Sequence, residues 1–332
     1  MQLLRDCTWT PTSELRNADP QVLCLPTTVP RLAREESYAK DIIDAWNEHF
    51  HHASSESSRK YIDTLGSPFP YKGPNGDAEF SGYLIIPSTV DVNNIPDKLP
   101  VVIIFHTGAG PQDIFNRFQA DKLARESCWG DTGCIIFVAD VVSDFVGWTW
   151  GDRERYWNTR KDLLEVTERD GHKRRWKLRD TVAAAMDAVK SIDAVDTQRI
   201  VAWGFCLGGQ PVVELGRMQC DGLKGLITFH GIFDGIDLPD KEDKKDNETR
   251  RVLICNGLLD PHVPMSDIDT TKETFERCGW NCEVLNFENA QHNFSNPRTK
   301  YDDSDGGFGY DEHASTKGWT SALELIKDVF EL

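Results

Sequence analysis

Apolar, β-branched runs recur along residues 82–288, separated by segments of helical periodicity. They are GYLIIP from Gly82, LPVVIIFH (99–106), GCIIFVADVV (133–142), RIVAWGF (199–205), GLITFHG (225–231), RRVLICNG (250–257) and CEVLNFE (282–288). Because these runs are continuously apolar instead of alternating, each fits a strand buried on both faces. Helical spacing fills the gaps at about 113–126, 174–191, 209–219 and 266–278, and a last helix is expected at about 314–330. The alternation predicts an α/β fold with a mostly parallel central sheet and helices on both faces. Residues 1–80 show only one helical stretch, at about 34–49, followed by the polar HHASSESS. They read as an N-terminal extension packed on a main domain at 81–332. The polar segments 237–248 and 301–312 read as surface loops, and the Asp and Gly spacing of the second does not match a calcium loop.

Composition narrows the function classes. With 332 residues, 39% of them hydrophobic, the chain can bury a large core, and a formal net charge of −17 disfavours contact with phosphate backbones. A small-molecule partner is therefore expected, with no nucleic acid and no membrane. No apolar run reaches the length of a membrane span, and MQLLRDCTWTPTSEL lacks the apolar stretch of a signal peptide, so a cytoplasmic monomer or small homo-oligomer is the expectation. The nine cysteines are odd in number and form no CxxC pair, which fits reduced thiols better than a disulfide framework or a zinc site.

The chemistry concentrates at Gly204-Phe205-Cys206-Leu207-Gly208-Gly209, between the strand RIVAWGF and a helix. A G-x-C-x-G-G turn of this kind carries a nucleophile where neighbouring side chains must be absent, as at the nucleophile elbow of α/β-hydrolases. The helix N-terminus favours thiolate, and the Leu207 N–H is positioned to donate to a developing oxyanion. Taken alone, the motif also fits a small buried cysteine in a tight strand–helix junction. Two partners change the balance: Asp260 follows RRVLICNGLLD and His292 follows CEVLNFENAQ, giving the order nucleophile, acid, histidine at successive strand ends. Each has a plain alternative, Asp260 as a turn residue before Pro261 and His292 as a loop histidine. The loop HTGAGP (106–111) offers a second oxyanion N–H from Thr107 or Gly108, with His106 facing the same cleft. His49, His51 and His52 lie in a polar stretch and read as solvated surface.

These residues resemble the dienelactone hydrolase family over roughly residues 80–330, on GFCLGG, GLLDPHVP, QHNF and GFGYDEHASTKGWTSALELI. The resemblance implies an α/β-hydrolase of the carboxymethylenebutenolidase type, working without metal or organic cofactor on esters, lactones or thioesters. It further implies an acyl group carried on Cys206, with Asp260 and His292 as acid and base. Acyl transfer by the same residues, or small-ligand binding with little turnover, are the alternatives. The family's activating glutamate falls on Thr107, and the arginine beyond its histidine falls near Asn296, with Arg298 further on. Residues 144–176 are the candidate cap, where Trp148, Trp150, Arg155 and Tyr156 could form an aromatic pocket with a cation for an anionic acyl group, against a plain packed and solvated excursion. The run His172-Lys173-Arg174-Arg175 reads as a solvated helix face.

Overall fold

The computed structural model describes residues 67–73, 76, 79–86, 98–111, 113–130, 133–142, 153–236, 250–297, 299 and 306–332. The expected helix at 34–49, the histidines at 49–52, the loop 237–248, Trp148, Trp150 and Arg298 fall outside the described residues. In chain order the elements are β1 (Ser67–Lys72), β2 (Glu79–Ile85), β3 (Leu99–Phe105), α1 (Ile114–Ala124), β4 (Ile135–Ala139), α2 (Arg153–Leu163), β5 (Thr167–Arg169), β6 (His172–Arg174) and α3 (Trp176–Lys190). They continue with β7 (Val195–Phe205), α4 (Gly209–Met218), β8 (Leu223–Phe229), β9 (Arg251–Gly257), α5 (Met265–Arg277), β10 (Asn281–Phe287) and α6 (Glu312–Phe330).

Two compact units emerge, one holding residues up to Val101 and Ala109–Asp196, the other Val102–Gly108 and Thr197–Leu332, so that β3 is divided between them. In the first unit β2 lies between β1 and β4 and pairs antiparallel with both. In the second, β8 runs parallel to β7 and β9, and β10 runs parallel to β9. This is the mostly parallel sheet that the continuous apolar runs predict. Successive residues of β8 show how the helices cover it. A Cβ at Gly225 would meet Leu325 of α6, whereas Leu226 lies beside Gly216 of α4, which also touches Phe275 of α5. Period-2 alternation thus sends one face of β8 to α6 and the other to α4 and α5.

The core of the second unit centres on Trp203 of β7, fully buried against Phe205, Phe229 and Trp319 at ring separations of 5.6, 5.0 and 4.8 Å. Trp203→Ala is expected to cost about 3–5 kcal/mol in urea unfolding, since the surrounding rings cannot close a cavity of that size. A cost below about 1 kcal/mol would contradict this packing.

Three features depart from the sequence reading. SPFPYK forms β1, although prolines normally break a strand; Phe69 and Tyr71 are buried while Pro68 and Pro70 are exposed, a clean alternation on an edge strand. RERYWNTRKDL forms α2 with few apolar residues to mark it. His172–Arg174 is not a helix face but strand β6, paired with β5 across Asp170 and Gly171, both at positive φ, so the backbone prefers a two-residue hairpin turn. The strand is largely exposed, and solvation of this run stands.

Candidate active site

Cys206, Asp260 and His292 all belong to the second unit. β7 ends at Phe205, a single 3-10 turn spans Cys206–Gly208, and α4 begins at Gly209. Cys206 takes φ +52°, a left-handed conformation that an ordinary side chain adopts only when its surroundings hold it there. The turn is closed so tightly that a Cβ at Gly204 would lie 2.1 Å from the Gly208 carbonyl oxygen, and one at Gly208 would lie 2.3 Å from that of Phe105. Glycine at these two positions is a requirement of backbone approach.

Beyond β9, the N–H groups of Leu258 and Leu259 donate to the carbonyl oxygens of Phe287 (2.9 Å) and Ala290 (3.0 Å). These bonds tie the turn carrying Asp260 to the end of β10, from which His292 follows. Asp260 Oδ1 accepts the His262 N–H at 2.8 Å, leaving Oδ2 to accept from His292 Nδ1–H at 2.7 Å. That bond fixes the ring, and His292 Nε2 faces Cys206 Sγ at 3.2 Å. The backbone of His292 is held as well: its N–H donates to the Gly307 carbonyl at 2.9 Å, and its own carbonyl accepts from the Gly309 N–H at 3.0 Å.

All three side chains are buried. Burial disfavours charge on His292, but the sulfur of Cys206 and the carboxylate of Asp260 outweigh it and raise the imidazole pKa to about 10. Three further rings stand about His292, with centroids at 5.2 Å (His230), 5.3 Å (His262) and 5.1 Å (Phe308). Burial and the neighbouring His292 hold both His230 and His262 below the ordinary imidazole range. The geometry therefore gathers one basic histidine among neutral rings, hydrogen-bonded between the Cys206 sulfur and a carboxylate.

Of the other positions read from sequence, Thr107 and Gly108 lie in the buried loop after β3, beside the turn that bears Leu207, because Gly208 packs on the Phe105 and His106 carbonyls. His106 is wholly buried, and its Nδ1 donates to the Thr107 carbonyl at 2.6 Å; burial lowers its pKa to about 4. Arg155 and Tyr156 lie on α2 in the first unit, both half-buried, with Tyr156 edge-on to Trp157 at 5.2 Å. Asn296 is buried four residues beyond His292. Sequence reasoning passed over His230, His262 and Ser295. The signal was faint: His230 closes the run GLITFH at the same end of the sheet as GFC, and only its position marks it. Among the described residues, no group of three or more His, Cys, Asp or Glu side chains could hold a metal ion.

Residues 80–330 match the dienelactone hydrolase family. The chain belongs to that family. An uncharacterized protein of Caenorhabditis elegans is 31% identical over 157 residues, which make up 47% of this chain and 97% of that protein. Among solved structures, m3DLH is 26% identical, covers 80% of this chain and 98% of its own, and superposes with a TM-score of 0.62. A dienelactone hydrolase-like promiscuous phosphotriesterase from metagenomic libraries is 23% identical, with the same coverage and a TM-score of 0.60, a likeness of fold. As a member of the dienelactone hydrolase family, the chain is a hydrolase of the ester and lactone type with the α/β-hydrolase fold. None of the helices among the described residues is long and apolar enough to cross a membrane.

Proposed function

We propose that the chain cleaves carboxylic esters or lactones through an acyl group carried on Cys206, with His292 as base and acid and Asp260 as the carboxylate that orients it. The observation that carries this reading is the pair of hydrogen bonds made by one buried imidazole, 2.7 Å to Asp260 and 3.2 Å to Cys206. The Cys206 sulfur attacks the carbonyl carbon as its thiolate, its proton resting on His292 Nε2; a C–S bond forms and the carbonyl π pair moves to oxygen. Backbone N–H groups of Leu207 and of Thr107 or Gly108 receive that oxyanion, a role supported by the close approach of Gly208 to the end of β3.

Collapse breaks the bond to the leaving alkoxide, which takes the Nε2 proton. Water then gives a proton back to Nε2 as its oxygen attacks the thioester, and the thiolate leaves. In a lactone the alkoxide stays tethered to the acyl group, so product departs only after this second step. Family membership extends the reading to cyclic enol-lactones of the carboxymethylenebutenolide kind.

The test is stopped-flow hydrolysis of p-nitrophenyl acetate with acid quench and mass analysis of the Cys206 peptide. An initial burst and an acetyl adduct on that peptide are expected; steady turnover with every cysteine unmodified at all quench times would rule the reading out.

The pH profile gives a second expectation. His292 keeps its proton up to about pH 10, and above that it can no longer protonate the leaving alkoxide or balance the thiolate. The alkaline limb of kcat/KM is therefore expected near pH 10, well above an ordinary imidazole. A limb at pH 6–7 would show that Cys206 and Asp260 do not hold the charge on His292.

A further inference from the structure

His230 is a buried histidine beside His292 to which the proposed reaction gives no task. It sits one residue past β8, fully buried at φ +41°, and its backbone N–H donates to the Cys255 carbonyl at 2.9 Å. Non-glycine residues at positive φ are uncommon, and the second unit places three of them around one point: Cys206 at +52°, His230 at +41° and Asn293 at +63°. Strain of this kind persists only where the surroundings enforce it, and it gathers at sites of chemistry.

The side chain of His230 reaches the segment that carries His292. Its Nε2 lies 2.8 Å from Ser295 Oγ, its ring stands edge-to-face with His292 at 5.2 Å and 66°, and Phe294 closes its other side at 5.2 Å and 89°. The opposite nitrogen, Nδ1, is buried and meets no partner beyond the residue's own backbone. A buried orphan nitrogen costs stability, so a histidine is an expensive way to fill this space unless the bond from Nε2 matters.

We infer that His230 is a positioning residue for the hydrolysis proposed above: by holding Ser295 it fixes the segment 292–296 and keeps His292 Nε2 in line with Cys206 Sγ. The inference rests on that reaction. The geometry makes the coupling direct, because Ser295 is three residues beyond His292, and the strained Asn293 between them leaves the segment reliant on outside ties. Asn293 Nδ2–H to Thr299 Oγ1 at 2.8 Å is another such tie. His230 performs this task as a neutral ring. A second positive charge at that distance would oppose the imidazolium, and the ionisable groups that face His292 are otherwise Cys206, Asp260 and the exposed His262.

The two amide substitutions separate the nitrogens of His230. A glutamine amide can reach the place of Nε2 and retain the bond to Ser295, whereas asparagine tolerates the positive φ but reaches only as far as Nδ1. We expect His230→Asn and Ser295→Ala each to lower kcat/KM for p-nitrophenyl acetate about tenfold, the worth of one hydrogen bond, through kcat and not KM. The double variant should lose about tenfold in total instead of a hundredfold, because both changes cut the same tie. His230→Gln should stay near wild type. In the two weakened variants the alkaline limb should also move down in pH, as His292 sits less well between Asp260 and Cys206.

Equal losses in the Gln and Asn variants, additive losses in the double variant, or an alkaline limb that does not move would each overturn the inference, leaving His230 as mere packing. The same variants are to be read by the pH dependence of iodoacetamide alkylation at the Cys206 peptide, which needs no substrate. If wild type proves inactive on esters, the reaction reading fails by itself, and a shifted alkylation profile still decides whether His230 and Ser295 set the Cys206–His292 pair.

Discussion

Cys206→Ala is expected to abolish hydrolysis of p-nitrophenyl acetate, with a fall on the order of 10⁴-fold or more in kcat. The substitution removes a single sulfur from a buried turn whose shape is set by the backbone contacts of Gly204 and Gly208, so the fold should survive with a thermal midpoint within about 5 °C of wild type. His292 would remain hydrogen-bonded to Asp260, but with no nucleophile 3.2 Å from its Nε2. Blocking wild type with iodoacetamide is an independent route to the same loss. Substantial turnover in the alanine variant would mean that His292 activates water directly and that the cysteine is a bystander. The two mechanisms differ in whether an acyl-protein species ever accumulates.

Asp260→Asn carries the next largest effect, a decrease of about 10³–10⁴-fold in kcat with little change in the circular dichroism spectrum. The reason lies in the two donors that converge on this carboxylate, the His262 N–H at 2.8 Å and His292 Nδ1–H at 2.7 Å. An amide has one oxygen to offer. If it serves His262, the NH₂ group confronts His292 and forces the other tautomer; if it serves His292, two donors collide at His262. The first arrangement leaves Nε2 already protonated and unable to take the thiol proton, and the second strains the turn that holds the residue against His292. An Asp260→Asn protein with wild-type rates would remove Asp260 from the machinery, and attention would turn to which other acceptor orients His292.

Strands β3, β4, β8, β9 and the second half of β7 were legible because both of their faces are buried, which leaves an unbroken apolar run in the sequence; β10 forms where its run predicts, but contrary to the expectation of two buried faces only Phe287 of it is buried. The helices α1 and α3–α6 announced themselves by the spacing between those runs. What escaped was held by other means. β1 alternates cleanly but contains two prolines, which it tolerates because, among the described residues, it pairs with β2 alone. The hairpin β5–β6 has three residues per strand and almost no buried surface; Arg169 secures it by a bidentate pair with Asp180 at 3.0 and 2.7 Å and by stacking on Trp176 at 4.5 Å. Such contacts leave no periodic trace.

The candidate site divides in the same way. Cys206, Asp260 and His292 stood out because nucleophile, acid and histidine occupy strand ends in a fixed order, a pattern that chain connectivity imposes. His230, His262 and Ser295 are brought to the site by packing alone. A histidine at the end of GLITFH looks the same in sequence whether it faces solvent or stands 5.2 Å from an imidazolium.

The prolines of β1 have a consequence for the molecule in crowded solution. Pro68 and Pro70 pair opposite Tyr83 and Ser81, and since a proline nitrogen cannot donate, these positions must be the ones whose nitrogens point away from β2. The outward rim of β1 therefore offers no N–H at either position to a strand from another copy. β10, the outer strand of the second unit among the described residues, presents the exposed Asn281, Glu283 and Asn286 along its length. The β1 rim lacks two of its donors and that of β10 is wet and polar, so sheet-to-sheet accretion between molecules, the common first step toward fibrils, is discouraged at each.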